Sequence, residues 1–324
     1  MKTQRLEKNE LEKAAQLIKE GETVAFPTDT VYGLGADALN EEAVQKIFKA
    51  KGRPADRPIS VLIGQASDIE KYTKDIAEEV WLLTEKFWPG PLTIILKSNG
   101  MFASTVTAGR DSIGLRMPDN QVALDFIKTC GTPLATPSAN TSGRPSPTKA
   151  NHVLTDLDGK ISAVINGGET STGIESTVLD FSNSDEPIIL RPGNISKKQI
   201  EETIQRPVKV LEQSKNEKHY KPSIPLYMVQ SNWVDSMNKM REQGEKIAIL
   251  ASEEIVQQYK EKAETCYSLG KAEDIAAANR RLFDGLRTLE QTEATVILAE
   301  TFENGEESHA YMNRLQNAAE KNSI

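Results

Sequence analysis

Apolar residues recur at helical spacing in several segments of the chain and gather into short runs between them. The helical spacing predicts helices over residues 10–20, 41–51, 75–87, 120–129, 148–156 and 196–205. The segment TVAFPTDTVYGLGA predicts a short buried strand that runs into a loop, and further short runs predict strands at 59–63, 92–96, 112–117, 133–136, 163–165, 176–181 and 187–191. Because strands and helices mix irregularly, this part is expected to form an α/β or α+β sheet domain that ends near residue 211.

The pattern changes after residue 211. Residues 212–224 lose the hydrophobic periodicity, carry many charges and contain Pro222, so they are the best candidate for a linker. Beyond them, strands in PLYMV, KIAILAS, TCYSLG and ATVILAET alternate with helices, including a long one at 271–290 and a final one at about 307–320. This alternation predicts a small parallel, Rossmann-like sheet over residues 225–324, although a GxGxxG fingerprint for a dinucleotide is missing from its sequence.

The composition of the chain is that of a soluble globular protein. Its 324 residues are 38% hydrophobic, 27% charged and 6% aromatic, and the length favours two domains. Cys130 and Cys266 lie far apart and show no ligand spacing, so neither a disulfide framework nor a zinc site is predicted, and a reducing cytoplasm is expected. The chain has no apolar run of signal-peptide or membrane-span length, so secretion and membrane insertion are not expected.

The charge balance limits the kind of partner that the protein can hold. With 39 basic and 47 acidic residues the net charge is −8, which argues against a surface that grips nucleic acid along its whole extent. Positive charge nevertheless gathers between residues 46 and 57, at Lys46, Lys49, Lys51, Arg53 and Arg57. Such a focus suits a small polyanion such as a nucleotide, although Lys46 and Lys49 are better explained as cations at a helix end.

Two segments carry candidate chemistry in the first hundred residues. Residues 27–35 place hydroxyls and glycines after a strand, either to let a ligand approach the backbone or to form a self-bonded turn around Asp29 and Thr30. Lys51 and Arg53 stand at a helix exit, where they hold neighbouring phosphate oxygens or simply end the helix. A Walker A motif is missing, so P-loop hydrolysis is not indicated.

Further candidates follow later strands. Residues 138–146 are rich in hydroxyl, amide and glycine groups that can cradle phosphate or ribose oxygens. Arg116 and Arg191 each end an apolar strand, so each is expected to meet an anion, either from a ligand or from an internal carboxylate. In residues 167–181, Glu169 and Glu175 either bind a metal or face water.

Nucleophilic catalysis is not supported by the residue inventory. The three histidines, His152, His219 and His309, lie in separate segments and form no triad or multi-histidine metal pattern. Catalysis by positioning and by electrostatic stabilisation of phosphate is therefore the better interpretation.

Taken together and in order, the motifs resemble the YrdC/Sua5 family of threonylcarbamoyl-AMP synthases in its two-domain Sua5 form. The matching segments, which span residues 24–222, are PTDTVYGLGADA, KGRP, WPGPLTIIL, IGLRMP, TPSANTSGRPSPT, GIESTVLD, LRPG and HYKP. The pairing of KxR with SxN, here Lys51 and Arg53 with Ser138 and Asn140, is the hallmark of that family. The C-terminal part resembles the Sua5 extension more weakly, through its layout and the ending AYMNRLQNAA.

The resemblance implies a fold, a reaction and partners. It implies a YrdC-like catalytic domain over residues 1–211 with an open twisted mixed sheet and helices, a linker over the active site at 212–224, and a smaller Sua5-type domain at 225–324. The implied enzyme is a nucleotidyltransferase that joins L-threonine, bicarbonate and ATP, with Mg²⁺, into threonylcarbamoyl-AMP and pyrophosphate. A separate transferase then uses the product for the t6A modification at position 37 of tRNA, and a weak contact with tRNA is expected.

The resemblance also implies roles for individual residues. Lys51 and Arg53 would be catalytic. The residues that would hold L-threonine are Thr30, Arg116, Thr136 and Ser176, with Arg116 pairing the carboxylate. The residues that would surround ATP are Lys51, Arg53, Arg57, Ser112, Ser138, Asn140, Ser146, Arg191 and Tyr220. The sequence identifies neither the metal ligands nor a general base.

Two positions depart from the family pattern. Many relatives carry a histidine where this chain has Leu62, so any contact of that histidine with threonine is lost or replaced. Arg57 stands where relatives often have asparagine or lysine, which leaves its nucleotide role open.

Three other interpretations compete with this one. The first is a YrdC-type RNA-binding module without catalysis, against which the net charge of −8 and the lack of an aromatic stacking platform argue. The second is a carbamoyl-transfer enzyme, because hydrogenase-maturation proteins contain a related domain, but this chain lacks their length and their cysteines. The third concerns only the C-terminal half, as a partner-docking or regulatory module.

Overall fold

The computed structural model describes residues 2–211, 219–303 and 305–319. The chain divides into two compact units, and only described residues within them are discussed. The first unit comprises Met1–Ser142, Pro147–Ser171 and Glu175–Gln213, and the second comprises Gly143–Ser146, Thr172–Ile174 and Ser214–Ile324. Most of the predicted linker, residues 212–218, lies outside the described residues. Among the described helices, none combines the length and the apolar character that crossing a bilayer requires.

The first unit is a mixed α/β structure. Its strands are β1 (Gln4–Glu7), β2 (Val24–Phe26), β3 (Gly33–Asp37), β4 (Val61–Leu62), β5 (Leu92–Lys97), β6 (Ser112–Arg116), β7 (Leu134–Ala135), β8 (Ala163–Asn166), β9 (Thr177–Asp180), β10 (Ile188–Arg191) and β11 (Lys209–Val210). Its helices are α1 (Leu11–Lys19), α2 (Glu41–Lys51), α3 (Ile69–Tyr72), α4 (Glu78–Phe87), α5 (Ser104–Thr107), α6 (Gln121–Cys130), α7 (Ala150–Leu157) and α8 (Lys197–Ile204).

All of these strands join one sheet in the order β1-β8-β2-β3-β7-β4-β6-β5-β9-β10-β11. Strand β8 runs parallel to both β1 and β2, whereas β3 runs antiparallel to both β2 and β7. The sheet is therefore mixed and open, which confirms the predicted fold class of the first unit.

The two faces of this sheet are covered unequally. One face lies against a large apolar core to which α2, α4, α7 and α8 contribute side chains. On the other face, α1 and α6 pack over a smaller cluster that includes residues of β1, β2, β4, β7 and β8. The side chains that β5 and β6 direct to this second face belong to neither apolar cluster.

The side-chain alternation of β6 explains what occupies the remaining part of that face. Ile113 and Leu115 point into the large core, so Ser112, Gly114 and Arg116 point to the opposite face. A Cβ on Gly114 would lie 3.2 Å from both Ser60 Oγ and Thr93 Cγ2, which places these hydroxyl residues on the same face. The sequence pattern thus leaves a polar patch on an otherwise apolar sheet.

The second unit is built on a parallel sheet. Its strands are β12 (Leu226–Val229), β13 (Ile247–Ala251), β14 (Thr265–Ser268) and β15 (Val296–Glu300), in the order β12-β15-β13-β14. Each neighbouring pair is parallel. Its helices are α9 (Trp233–Glu242), α10 (Glu253–Tyr259), α11 (Ile275–Leu289) and α12 (His309–Ala318). This arrangement confirms the predicted Rossmann-like parallel sheet.

Three strands of the first unit were not predicted from the sequence. Strand β1 occupies residues 4–7, before the first predicted helix, and β11 occupies Lys209–Val210, after the predicted helix at 196–205. Strand β3 occupies Gly33–Asp37, in a glycine-rich stretch that was expected to be a loop. A Cβ on Gly35 would lie 2.7 Å from the Phe26 ring, so the glycine is needed for the close approach of β3 to β2.

Candidate active site

Arg116 is the most firmly held cation of the polar patch. It ends β6 and is 6% exposed. Its Nε donates to the carbonyl of Gly90 at 3.0 Å, its Nη1 donates to Thr30 Oγ1 at 2.9 Å, and its Nη2 forms an ion pair with the Asp29 carboxylate. Of the two anions that the sequence left open, the internal carboxylate is therefore present, and it fixes the guanidinium next to the Thr30 hydroxyl.

The loop between β2 and β3 supplies these partners. Asp29 Oδ1 also accepts the backbone N–H of Asp119 at 3.1 Å. The Thr28 hydroxyl accepts the N–H of Thr30 at 3.1 Å and lies 3.0 Å from the Thr30 hydroxyl. The self-bonded turn that was considered as an alternative is thus present, and it also presents a side chain to Arg116.

A second group of contacts joins Ser176 to Arg191. Arg191 ends β10, and its Nη2 donates to the carbonyl of Ser176 at 3.0 Å and to the Ser176 hydroxyl at 3.2 Å. The Ser176 hydroxyl also lies 2.8 Å from Thr93 Oγ1 on β5. Ser176, which is predicted to bind L-threonine, and Arg191, which is predicted to bind ATP, are therefore neighbours.

Thr136 lies just beyond β7, where β3 approaches closely. Its hydroxyl donates to the carbonyl of Leu134 at 2.9 Å. A Cβ on Gly33 would lie 2.3 Å from Thr136 Cγ2, so only glycine at position 33 leaves room for this side chain.

Lys51 is placed by the end of helix α2. Gly52 follows it in the left-handed conformation at φ 61° and ends the helix, so the Lys51 side chain leaves the last turn. The side chain is buried, with the residue 2% exposed, and its Nζ donates to the carbonyls of Ser138 at 2.5 Å and Asn140 at 2.6 Å. The KxR and SxN motifs therefore meet through the lysine.

Burial is the main influence on the ionisation of Lys51. Loss of hydration, together with the weaker repulsion by Arg53, lowers the pKa of its ammonium group from 10.5 to about 7. The carboxylates of Asp156 and Glu175 act in the opposite direction. The side chain is thus a cation that changes its charge in the neutral range.

Three other residues of the first unit that are predicted to bind ATP lie at or beyond the ends of a helix or a strand. Arg53 follows α2, and its Nη2 donates to the carbonyl of Pro58 at 3.1 Å. Arg57, half-buried, follows four residues later along the chain. Ser112 begins β6, opposite Lys97 of β5, at the other end of the strand from Arg116. No contact joins Ser112 to Arg116 among the described side-chain hydrogen bonds.

Leu62, at the position of the family histidine, has an apolar role. It is 3% exposed and belongs to the cluster that contains Phe126 and Leu134. This position contributes packing and no polar group.

Two predicted nucleotide residues belong to the second unit. Ser146 is 1% exposed and follows Pro145, whose carbonyl accepts hydrogen bonds from Arg287. Tyr220 has a left-handed backbone at φ 62°, and its ring packs on Phe283 with centroids 5.1 Å apart.

The side chains that could bind a metal ion form no cluster of three or more among the described residues. Within residues 2–211, 219–303 and 305–319, no group of three or more histidine, cysteine, aspartate or glutamate side chains is arranged to hold a metal ion. Glu169 lies 3.7 Å from Lys149, and Glu175 is buried near Lys51. Neither glutamate belongs to such a group of described residues, and the burial of Glu175 shows that the alternative in which it faces water is wrong for this residue.

Sequence reasoning missed two participants. Thr93 stands in the apolar run LTIIL. Only the alternation of side chains along a strand indicates that it faces the polar patch of the sheet. Asp156 lies on α7 and accepts the N–H of Thr141 at 3.0 Å, and nothing in the sequence distinguishes it from Asp158, which is exposed directly after the helix.

Two models of protein families match successive parts of the chain. The model of the Sua5/YciO/YrdC family, described as "Telomere recombination", matches residues 16–193. A second model, described as "Threonylcarbamoyl-AMP synthase, C-terminal domain", matches residues 195–320.

Individual relatives match over nearly the whole chain. Threonylcarbamoyl-AMP synthase of Bacillus subtilis is 41% identical over 325 residues, covering 96% of this chain and 93% of the relative. The enzyme of the same name from Pyrococcus abyssi is 40% identical over 335 residues, covering 98% of this chain and 96% of the relative. The crystal structure of P. abyssi Sua5 complexed with L-threonine matches with a TM-score of 0.89 and 36% identity, covering 98% of each chain. The chain therefore belongs to the threonylcarbamoyl-AMP synthase family, in its two-domain Sua5 form.

Proposed function

We propose that the protein joins L-threonine, bicarbonate and ATP into threonylcarbamoyl-AMP, with release of pyrophosphate. The observation that carries the proposal is the 41% identity to a threonylcarbamoyl-AMP synthase over 96% of the chain. The buried cations Arg116 and Lys51, each beside hydroxyl or carbonyl groups, support it from the structure.

The threonine half of the reaction uses the polar patch of the sheet. The Arg116 guanidinium, held by Asp29, receives the carboxylate of threonine, and Thr30, Thr136 and Ser176 surround the amino acid. Because Asp29 and Gly90 already orient Arg116, binding costs little side-chain entropy.

The nucleotide half uses the cations that follow α2. Lys51 and Arg53 stabilise the charge that grows on the α-phosphate and on the departing pyrophosphate, while the other predicted residues contact the nucleotide. These contacts come from Arg57, Ser112, Ser138, Asn140, Ser146, Arg191 and Tyr220.

The chemistry needs no protein nucleophile. The neutral amine of threonine attacks carbon dioxide or bicarbonate to form a carbamate. With carbon dioxide the amine loses a proton to bicarbonate or water, and with bicarbonate a water molecule is lost. A carbamate oxygen then attacks the α-phosphorus, and the bond to the bridging oxygen breaks as pyrophosphate leaves. Because carbamates decompose rapidly in water, a site that holds both reactants together and excludes water favours the second step.

Mg²⁺ enters with ATP as part of the substrate. Mg²⁺ is usually bound by substrate phosphates together with one or two carboxylates, and the described residues offer no larger carboxylate group. We therefore expect the phosphates of ATP to supply most of the metal ligands, with at most one or two carboxylates of the protein.

The product passes to a second enzyme. An acyl adenylate carries an activated carbonyl, so a transferase that delivers the threonylcarbamoyl group to adenosine 37 of tRNA is the expected partner, in the cytoplasm. The protein itself makes at most a weak contact with tRNA.

The experiment that tests this function is a pyrophosphate assay with purified protein, threonine, bicarbonate, Mg²⁺ and ATP. We expect pyrophosphate release that depends on threonine and on bicarbonate, with threonylcarbamoyl-AMP detected by mass spectrometry. Release that continues without threonine would contradict the proposed reaction. Salt-sensitive RNA binding without any release would favour the non-catalytic RNA-binding alternative.

Variants of Lys51 and Arg53, the cations proposed to bind the phosphates, test which residues carry the activity. We expect Lys51→Ala or Arg53→Ala to lower the rate on the order of 100-fold, as removal of one oriented donor does. Lys49→Ala is the matched control, because Lys49 is an exposed lysine in the same last turn of α2. An effect of Lys51→Ala no larger than that of Lys49→Ala contradicts the assignment.

A further inference from the structure

The segment Ser138–Ser142, here called the 138–142 turn, is held by side chains outside it. Lys51 Nζ donates to the carbonyls of Ser138 and Asn140, and the Lys51 carbonyl accepts the N–H of Ser142 at 2.8 Å. The lysine therefore holds three backbone groups of the turn, one at each end and one between them.

Asp156 holds the remaining part of the turn. Its Oδ2 accepts the N–H of Thr141 at 3.0 Å, and its backbone carbonyl accepts the Thr141 hydroxyl at 3.3 Å. Because Asp156 lies in α7, one helix fixes the turn at the residue that follows Asn140.

The same carboxylate acts on the charge of Lys51. The charged groups that influence the Lys51 ammonium are Arg53, which disfavours its charge, and the carboxylates of Asp156 and Glu175, which favour it. Asp156 is the larger of the two favourable electrostatic influences. It therefore links the position of the turn to the ionisation of the lysine.

We propose that Asp156 is a positioning residue of the nucleotide site, which holds in place the 138–142 turn and, with it, the two carbonyl groups that bind the Lys51 side chain. It acts through Thr141 and Lys51 and needs no contact with the substrate. The inference deepens the proposed function, on which it rests for the identity of the nucleotide.

The test separates the two roles of the carboxylate with two variants. Asp156→Asn keeps an amide oxygen that accepts the Thr141 N–H, but it removes the negative charge. Asp156→Ala removes both. The control is Asp158→Asn, which makes the same change of charge at an exposed residue directly after α7 and keeps the acceptor for Thr3.

The measured quantities are kcat and KM for ATP between pH 5 and 9, and the Kd of ATP without threonine from calorimetry over the same range. For Asp156→Asn we expect a KM near that of the unmodified protein at pH 5, where Lys51 is charged in both proteins. Its alkaline limb should move to lower pH by about 1 unit, because Lys51 loses a negative neighbour. For Asp156→Ala we expect, in addition, an increase in KM on the order of 10-fold at every pH.

The outcomes divide clearly. Profiles of Asp156→Asn and Asp158→Asn that both coincide with that of the unmodified protein overturn the proposal, as does an unchanged KM for Asp156→Ala. If the unmodified protein binds ATP but releases no pyrophosphate, the proposed function fails while the Kd profiles still test Asp156. Failure of the unmodified protein to bind ATP overturns both. Thermal melting identifies a variant that does not fold. If Asp156→Ala does not fold, the near-isosteric variant Asp156→Asn alone tests the proposal.

Discussion

The two buried cations of the first unit are neutralised in different ways. Arg116 faces the full negative charge of Asp29, whereas Lys51 faces two neutral carbonyl groups. The ion pair of Arg116 therefore leaves little net charge, and a bound carboxylate relies on the remaining N–H groups of its guanidinium. The charged form of Lys51 donates to carbonyl groups and not to a carboxylate, so it keeps a net charge for a phosphate, which suits the separate roles proposed for the two residues.

Loss of Arg116 should reduce stability as well as function. We expect Arg116→Ala to lower the free energy of unfolding by about 3–5 kcal/mol, because it leaves the Asp29 carboxylate buried without its partner. Urea denaturation at pH 7 measures the change. The exposed pair of Lys97 and Asp75 supplies the control, since Lys97→Ala should cost no more than about 1 kcal/mol. Equal losses for the two variants would contradict the role given to the Asp29 pair.

At the scale of elements, β3 and the segment after β7 form one tightly packed unit. The N–H of Leu34 donates to the carbonyl of Pro137 at 2.8 Å, and the N–H of Ala139 donates to the carbonyl of Tyr32 at 2.8 Å. Gly33 lies between these bonds, opposite Ser138. The backbone of β3 thus sets the positions of Thr136 and of the 138–142 turn together.

A methyl group at position 33 should therefore disturb the threonine subsite. We expect Gly33→Ala to turn the Thr136 side chain away, to raise KM for threonine several-fold, and to lower the free energy of unfolding by about 1–3 kcal/mol, as overpacking does. Gly64→Ala is the control, because a Cβ there meets only ordinary contacts of 3.4 Å or more. Steady-state kinetics and urea denaturation check both variants. If the two variants behave alike, close packing at Gly33 does not position Thr136.

The strands of the first unit show which parts of the fold can be predicted from one sequence. The apolar runs at LTIIL and SIGLRM became β5 and β6 with nearly the expected bounds, because burial of alternate residues marks a strand wherever it lies. Strand β3 was missed because its glycines, which favour turns locally, are required by a neighbour brought close only in the fold. Asp156 was missed for the same reason, since its partners Thr141 and Lys51 are distant in sequence.

At the scale of the whole molecule, the compact units do not follow the family models. Segments 143–146 and 172–174 lie inside the range of the first family model, yet they belong to the second unit. There, Arg144 pairs with Glu290 at 2.5 Å, and Arg287 donates to the carbonyl of Pro145 at 2.6 Å. Helix α11, together with the residue after it, therefore fixes the backbone next to Ser146.

Removal of this support should impair the use of ATP. We expect Arg287→Met, which keeps the bulk of a buried side chain, to lower kcat/KM for ATP on the order of 100-fold, since a displacement of about 1 Å has such effects. The exposed Arg241 provides the control variant Arg241→Met. Kinetics with ATP varied at saturating threonine measure the effect. An unchanged kcat/KM for Arg287→Met would show that the position of Pro145 does not matter for catalysis.

The strand order of the large sheet has a consequence for biosynthesis. Strands β1 and β2 do not pair with each other, because β8 lies between them and pairs with both. On the ribosome, residues 4–7 must therefore wait, unpaired, until residues 163–166 have left the exit tunnel, whereas β2 can pair earlier with β3 along one edge only. High contact order of this kind slows folding and keeps strand edges open to association, so the nascent chain is a natural client for chaperones that bind early in translation.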